Sequence, residues 1–469
     1  MSSLANNIGL SIFTLLNRVI SGSVVYIVLT RLMSLNDFGV LSFGTTLAGL
    51  LIVVAEFGFS LMAQRDIPQN RFDFKDYIFN TFIQKIGFST VSLLGGLLYL
   101  HLFFEGLNYT IGVVFVVNAI VTANNMYLFA IFRSKNMFKV EAWLSAVYTL
   151  AIIVIVALYY ILELDIAFIA YGLLVARVLQ FVIIACIYAF KFTLKARYSR
   201  EIQKYLFKNS FSFGAHYIIG IFYFSIDNQL IAYYCGNEAL AIYQAVFKVV
   251  LILLSVSALL ESVFLPYLSA KYSSSDIGFR SITTLINKVI ITLGLCLFVG
   301  FNLFANEIIT MLYSERYIAG LTIVLPLGFV LLFRMLSMVY SILLTISDHQ
   351  NIRVLIVSIS LILNVCLNFI FIPKYGYVGA AYVSLVTQFV LALSYIFFSY
   401  KYLQSFLLNL KMLFFGLFTV GLVLTKNYFN LQIDFIYSVI IMIVWMLLLF
   451  FVYNRKQLRE VVGLVRREF

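Results

Sequence analysis

Apolar runs long enough to cross a bilayer recur along the whole chain, and they limit its fold more than any other feature. A hydrocarbon core about 30 Å thick is crossed by roughly 20 helical residues, and every backbone amide inside it must be bonded within its own segment. Fourteen runs meet that length, over residues 9–32, 39–64, 76–103, 108–132, 140–161, 166–190, 210–234, 240–265, 282–304, 319–347, 352–372, 377–399, 407–425 and 433–453. They lack the alternation of apolar and polar residues that a transmembrane β-barrel needs, as Ile152 to Tyr159 illustrates. The chain is therefore predicted to be an all-α polytopic membrane protein with about fourteen transmembrane helices. Composition agrees: 63% of residues are hydrophobic and 11% charged, whereas a soluble domain is about one-quarter charged. The first run starts too early and is too long for a cleaved signal peptide, so it is expected to stay as the first helix.

Loop charge orients the bundle. If the N-terminus is cytoplasmic, 22 Lys and Arg fall in cytoplasmic loops and the tail, against Arg31, Arg316, Lys374 and Lys426 outside. That asymmetry predicts both termini in the cytoplasm. The net charge of +12 is thereby a property of membrane loops, and a nucleic-acid partner is not expected. The four cysteines (Cys186, Cys235, Cys296, Cys366) lie in or beside apolar runs, too scattered for a metal cluster or a disulfide framework.

The longest polar connection, residues 191–209, divides the chain. Expected domains are an N-terminal six-helix lobe over 1–190, the basic cytoplasmic linker 191–209, a C-terminal six-helix lobe over 210–400, and two extra helices with a basic tail over 401–469. The linker either lies along the anionic inner leaflet or is simply solvated. Weak internal similarity supports two pseudo-symmetric lobes: Asn36-Asp37 after the first span corresponds to Asn237-Glu238 after the seventh, 201 residues on. Six helices per repeat relate the halves by an axis along the membrane normal.

Several segments carry a family resemblance. Leu35-Asn36-Asp37-Phe38-Gly39-Val40-Leu41-Ser42-Phe43 with Glu56-Phe57-Gly58-Phe59, then Ile226-Asp227 through Gly236 and Tyr243, then Phe264-Leu265-Pro266-Tyr267-Leu268-Ser269, and above all Ile372-Pro373-Lys374-Tyr375-Gly376-Tyr377-Val378-Gly379-Ala380-Ala381 stand in this order. In these the chain resembles the O-antigen and capsule repeat-unit flippases of the multidrug/oligosaccharidyl-lipid/polysaccharide exporter superfamily. The resemblance implies two lobes around a central cavity, alternating access, and an undecaprenyl-diphosphate-linked oligosaccharide as substrate. It further implies the bacterial inner membrane, contact with membrane lipid, and a polymerase and chain-length regulator of the same pathway as partners. That family often has twelve helices, and the lipid II flippases of the same superfamily have fourteen.

Charged side chains at membrane depth face a partner or a wet cavity. Apart from charges at the span ends, six cations lie inside the spans: Arg18, Lys85, Arg177, Lys248, Lys288 and Arg334, against the acids Glu56, Asp227 and Glu261. An interior biased to positive charge attracts anions, and the planar guanidinium fork matches phosphate oxygens. Lys85 and Lys288 are near enough to the cytoplasmic end to snorkel to headgroups, the alternative to binding substrate. Arg177 and Arg334 divide evenly between substrate ligands and structural ion pairs. Because the resemblance places the first, second, seventh and eighth spans around the cavity, Arg18 and Lys248 are the preferred diphosphate ligands. Asp227 and Glu56 are either their fixed counter-ions or the groups that take a coupling proton or sodium, and Glu261, one turn before Pro266, is a hinge or gate candidate. His216 is expected to be a packing residue rather than a proton relay. Pro326 either kinks the tenth span or sits in its first turns.

No Gly-rich phosphate loop, zinc helix or nucleophile elbow is present, so no cofactor and no catalytic residue is expected. Two other functions compete. A multidrug-type exporter of cations would want an acidic interior, and a membrane glycan polymerase would want a catalytic acidic loop and larger outer segments.

Overall fold

The computed structural model describes residues 2–192, 196–272, 276–403, 410–428, 441, 444 and 445. Among them the secondary structure is helical, with no strand. In chain order the α-helices are α1 (Ser2–Val19), α2 (Val25–Leu32), α3 (Leu35–Glu56), α4 (Phe59–Asp66), α5 (Phe74–Phe103), α6 (Gly106–Ser134), α7 (Phe138–Ile161), α8 (Ile166–Lys191), α9 (Arg200–Tyr272), α10 (Asp276–Leu303), α11 (Ala305–Leu312), α12 (Val324–Ile346), α13 (Gln350–Leu403) and α14 (Leu410–Tyr428). A π-helical segment, Ile20–Val24, joins α1 to α2, and a 3₁₀ segment, Glu315–Ile323, leads into α12. Pro326 therefore lies in the first turn of α12, where its missing amide costs nothing.

Ten helices among the described residues are long and apolar enough to cross a membrane. Two of these, Ser225–Ser269 and Gln350–Lys401, run through a break and hold two predicted spans each. The breaks are at Gly236 (φ 83°, ψ −179°) and Gly376 (φ 62°, ψ −147°), a backbone region that essentially only glycine enters. Each glycine breaks the helix where a loop would otherwise be needed. The predicted run 407–425 overlaps α14, which carries a shorter apolar helix, Gly416–Thr425. The run 433–453 lies outside the described residues except Ile441, Val444 and Trp445. The all-helical membrane fold is as expected, and a total of fourteen crossings is not established by these ten helices.

Two compact units divide the chain, Met1–Ile242 and Tyr243–Phe469. In the N-terminal unit, α3 is almost wholly buried and packs on α5 and α6, while α6 also meets α4 and α8 and α1 packs on α7. Glycines permit the closest of these approaches: a Cβ at Gly44 would stand 2.2 Å from the Phe115 ring. Without a hydrophobic drive between helices in lipid, such small-residue contacts are what dispersion forces can use.

The start of α9 also belongs to this unit. Ile202 and Leu206 join the apolar cluster of Phe59, Tyr127 and Phe132. Gln203 Nε2 donates to Asn80 O at 2.9 Å, Gln84 Nε2 to Gln203 O at 2.7 Å, and the Arg197 amide to Asp76 Oδ1 at 2.7 Å. Tyr205 Oη donates to Asp66 and accepts from Arg65 Nη2 at 2.8 Å. Burial, reinforced by the Asp66 carboxylate, raises the Tyr205 phenol above its ordinary pKa, which keeps it a donor. Much of the basic segment 191–209 is thus pinned to α4 and α5.

In the C-terminal unit α12 packs on α10 and α13, and α14 packs on α10. Trp445 is buried in the cluster of Ile291, Leu295, Phe298 and Val423, and its indole donates to Thr419 Oγ1 at 3.0 Å.

Candidate functional site

The N-terminal unit holds a half-open cavity of about 360 Å³, polar side chains set in a mostly apolar wall, at the point where the first span changes from α to π geometry. The segment is Ile20-Ser21-Gly22-Ser23-Val24, and π-turns of this kind recur at functional sites. Asn17 and Ser21 form one wall, Thr122 and Asn125 of α6 a second, and Tyr148 and Thr149 of α7 a third. Arg177 and Gln180 of α8 close it. Thr149 Oγ1 donates to the Asn17 carbonyl at 3.2 Å, tying α7 to the turn before the π-segment.

Among the described residues, Arg177 is the charged side chain that lines this cavity, and no acidic one does. The guanidinium carbon lies 3.6 Å from the centroid of the Tyr148 ring, a cation–π contact. Arg177 Nη1 donates to Gln180 Oε1 at 3.0 Å, and Gln180 Nε2 donates onward to the Leu144 carbonyl at 3.0 Å. Asn125 Nδ2 donates to the Arg177 carbonyl at 3.2 Å. Arg177 Nε and Asn125 Oδ1 are buried without a hydrogen-bond partner.

A second constellation surrounds Lys85, which is 1% exposed. Its ammonium donates to Ala123 O at 3.3 Å and Ala55 O at 3.5 Å, and stands 5.3 Å from the centroid of the Tyr127 ring. Lys85 thus bridges α5 to α3 and α6 and is turned inward rather than toward a headgroup layer. Glu56, 2% exposed, ends α3 and accepts from the amides of Gly58 at 2.8 Å and Ser60 at 2.5 Å. The carboxylate therefore caps α4, a favourable place for negative charge. The left-handed Phe57 (φ 42°) and Gly58 (φ 81°) bend the backbone so that this short reach closes.

Asp227 and its neighbours Asn228 and Gln229 are all buried in α9. Asp227 Oδ1 accepts from the Asn228 amide at 2.9 Å, and Gln229 Nε2 donates to Thr46 Oγ1 of α3 at 2.9 Å. Arg18 lies in α1 and His216 in α9, and their side chains fall outside the described residues.

In the C-terminal unit, Glu261 of α9 receives two arginines. Arg353 Nη2 lies 2.9 Å from Glu261 Oε1, and Arg334 Nη2 lies 3.8 Å from Glu261 Oε2. Arg353 also donates to Thr345 Oγ1 at 3.0 Å. Lys248 and Lys288 are half-buried in α9 and α10. Of the charges singled out in the sequence, Arg334 and Glu261 are brought together, with Arg353, counted there as a loop cation, as the closer partner. The polar companions of Arg177 were also missed. Asn17, Asn125, Thr149 and Gln180 were visible as polar residues in apolar runs, but nothing in their spacing joins four helices.

The family model for polysaccharide biosynthesis protein matches residues 3–272. The chain belongs to that family. Among curated proteins it is 26% identical over 237 residues to the capsular polysaccharide biosynthesis protein CapF of Staphylococcus aureus, a match covering 47% of this chain and 59% of that one. It is also 24% identical over 255 residues to an uncharacterized membrane protein of Methanocaldococcus jannaschii, covering 52% and 50% respectively. The chain thus spans little more than half the length of these relatives. Several solved structures share its fold, among them the two that follow. The lipid II flippase MurJ in an inward closed conformation has a TM-score of 0.71 at 17% identity, covering 94% of this chain and 97% of that one. An inward-facing multidrug resistance MATE family transporter of the MOP superfamily has a TM-score of 0.63 at 15% identity, covering 89% and 99%. The resemblance read from the Asn36, Gly236 and Gly376 segments is borne out by this family match and this fold.

Proposed function

We propose that the chain is a flippase that moves undecaprenyl-diphosphate-linked oligosaccharide repeat units across the bacterial cytoplasmic membrane by alternating access, for O-antigen, capsule or exopolysaccharide assembly. The observation that carries this reading is the charge at membrane depth: six cations against three carboxylates, one of which, Glu261, is shared by two guanidinium groups. A diphosphate offers more anionic oxygens than a carboxylate and fits paired forks better. Arg18, Lys248 and Arg334 are the diphosphate ligands of the proposal. Lys85 and Glu56, whose polar atoms are spent on backbone groups, hold the N-terminal unit together. Asp227 takes a coupling proton or sodium. Both termini face the cytoplasm, and a polymerase and chain-length regulator receive the product.

The rival reading, a multidrug-type exporter of cations, calls for carboxylates in the binding cavity. Arg177 occupies the cavity of the N-terminal unit and, among the described residues, no acid lines it. A glycan polymerase is less well supported, since the solved structures sharing the fold are transporters. The decisive test is complementation in strains lacking the flippase for one defined repeat unit. Restored surface polysaccharide is expected for at least one acidic or neutral repeat unit. Failure across a panel of repeat units, with the protein present in the membrane, would overturn the proposal.

A further inference from the structure

We propose that the cavity of the N-terminal unit is a binding site for a small monovalent anion, held by Arg177. The inference goes beyond the flippase reading and does not depend on it. Its basis is a charge that the fold leaves without a counter-charge. A guanidinium keeps its proton under all conditions a protein meets, and it presents five N–H donors. In this cavity one donor goes to Gln180 Oε1, and the opposite electrostatic partner is the face of Tyr148. Arg177 Nε is buried and has no acceptor. The buried carboxylates of the unit are, among the described residues, engaged elsewhere: Glu56 on the amides of α4, Asp66 on Arg65 at 2.7 Å, Glu141 on Arg133 at 3.2 Å, and Asp227 on the Asn228 amide at 2.9 Å.

An uncompensated charge at membrane depth is expensive, and structures meet that cost with a partner or with water. Here the walls supply room for both. A volume of about 360 Å³ holds a halide or a formate-sized anion together with several waters, and Asn125 Oδ1, a buried acceptor lining the cavity, can accept a hydrogen bond from one of them. The other polar walls are largely self-satisfied, Thr149 on Asn17 O and Thr122 on Asn118 Oδ1, so the ligand is bound chiefly by one guanidinium. A single cationic fork without further donors selects charge more than shape. It favours a small anion in the millimolar range over a tightly recognised metabolite. Arg177 stands on α8, its ring partner on α7 and the π-segment beside them, so occupancy would stiffen the joint between the first, fifth and sixth membrane helices.

The test uses the full-length protein in detergent or nanodiscs, with chloride exchanged for lactobionate at constant ionic strength and pH. The melting temperature of the wild type is expected to rise with the logarithm of chloride concentration, by about 2 °C for each tenfold increase above the dissociation constant. Excess broadening of the chloride NMR line should appear in parallel. Arg177→Gln, which removes the charge while keeping a polar side chain, should lose both effects, and Arg177→Lys should retain both in weakened form. If Arg177→Gln fails to accumulate, bromide decides: an anomalous peak in the wild-type cavity beside Arg177 supports the site, and its absence at saturating bromide refutes it. Equal chloride responses in the wild type and Arg177→Gln, or no response in the wild type, would also overturn the proposal. Complementation can fail without altering any of these readings.

Discussion

The side chains of Asn36 and Asn237, 201 residues apart, meet in a hydrogen bond of 3.2 Å from Asn237 Nδ2 to Asn36 Oδ1. Asn237 Oδ1 accepts in turn from Asn108 Nδ2 at 2.9 Å, so one amide ties the start of α6 and the start of α3 to the turn after Gly236. The backbone is equally close. A Cβ at Gly39 would lie 2.0 Å from the Asn237 carbonyl oxygen, whereas Gly49, in the same helix, has nothing within 4 Å. Gly39→Ala is expected to destabilise the protein by about 1–3 kcal/mol through overpacking against backbone. Gly49→Ala should be neutral or stabilising, because alanine is the better helix former. Thermal melts of the two variants in detergent test the difference, and equal melting temperatures would contradict the close approach.

Gly236 and Gly376 should both resist substitution. Neither contact nor volume is at stake at Gly236, since a Cβ there meets nothing within 4 Å. The cost is conformational: at φ 83° and ψ −179° any L-residue is strained by about 1–3 kcal/mol. Alanine at either position is expected to lower the melting temperature, and asparagine, despite its tolerance of positive φ, should give little relief because this is not the left-handed helical region.

For Lys85 and Glu56 the expectation is coupling. Lys85→Met strips two carbonyls of their donor and leaves Glu56 without its nearby positive field, a loss of about 3 kcal/mol. Glu56→Gln turns an amide group toward one of the two backbone N–H donors it caps, costing about 1–3 kcal/mol. The double variant should lose less than the sum. A double-mutant cycle on thermal stability measures this, and strict additivity would show that the two groups act independently.

Neutralising Arg18 or Lys248 to Ala is expected to abolish polysaccharide export while the protein still accumulates. Arg18→Lys should be intermediate, since charge survives but the fork does not. Surface polysaccharide in a flippase-deficient strain, normalised to membrane protein, is the readout. Normal export by both Ala variants would remove these residues from the diphosphate site.

Asp227→Asn probes coupling. A carrier moves substrate uphill only when an ion distinguishes its two states, so the variant should retain substrate binding and lose its response to the driving gradient. Reconstituted vesicles with imposed proton or sodium gradients provide the measurement. An undiminished response to both would leave Asp227, buried beside Asn228 and Gln229, as a fixed part of α9.

Much of the fold was legible because hydropathy is read by the membrane in the same way as along the chain. The helices follow from local chemistry, whereas Pro326 reads equally as a kink or as a first-turn residue, and Gly236 and Gly376 read as connections between spans. The intramembrane charges were equally visible one by one. Their partners were not, because a partner is fixed by packing. Arg353, at the opening of the run 352–372, reads as a loop cation, yet its long side chain reaches Glu261, 92 residues away, at 2.9 Å. Lys85 fell close enough to a helix end to allow escape to the headgroups, yet the bulk of Phe59 and Tyr127 encloses it. The Arg177 cavity depends on four helices and a π-turn, and a π-turn leaves no periodic mark in five residues.

Joining helices by a lone glycine has a practical corollary for anyone who wishes to handle this protein. A one-residue elbow presents no slack chain for a protease to thread or for an epitope to be spliced into, so Gly236 and Gly376 are poor places for tags, nicks or circular permutation. The corners that end in ordinary turns, such as Leu162 to Asp165 between α7 and α8, are the better handles.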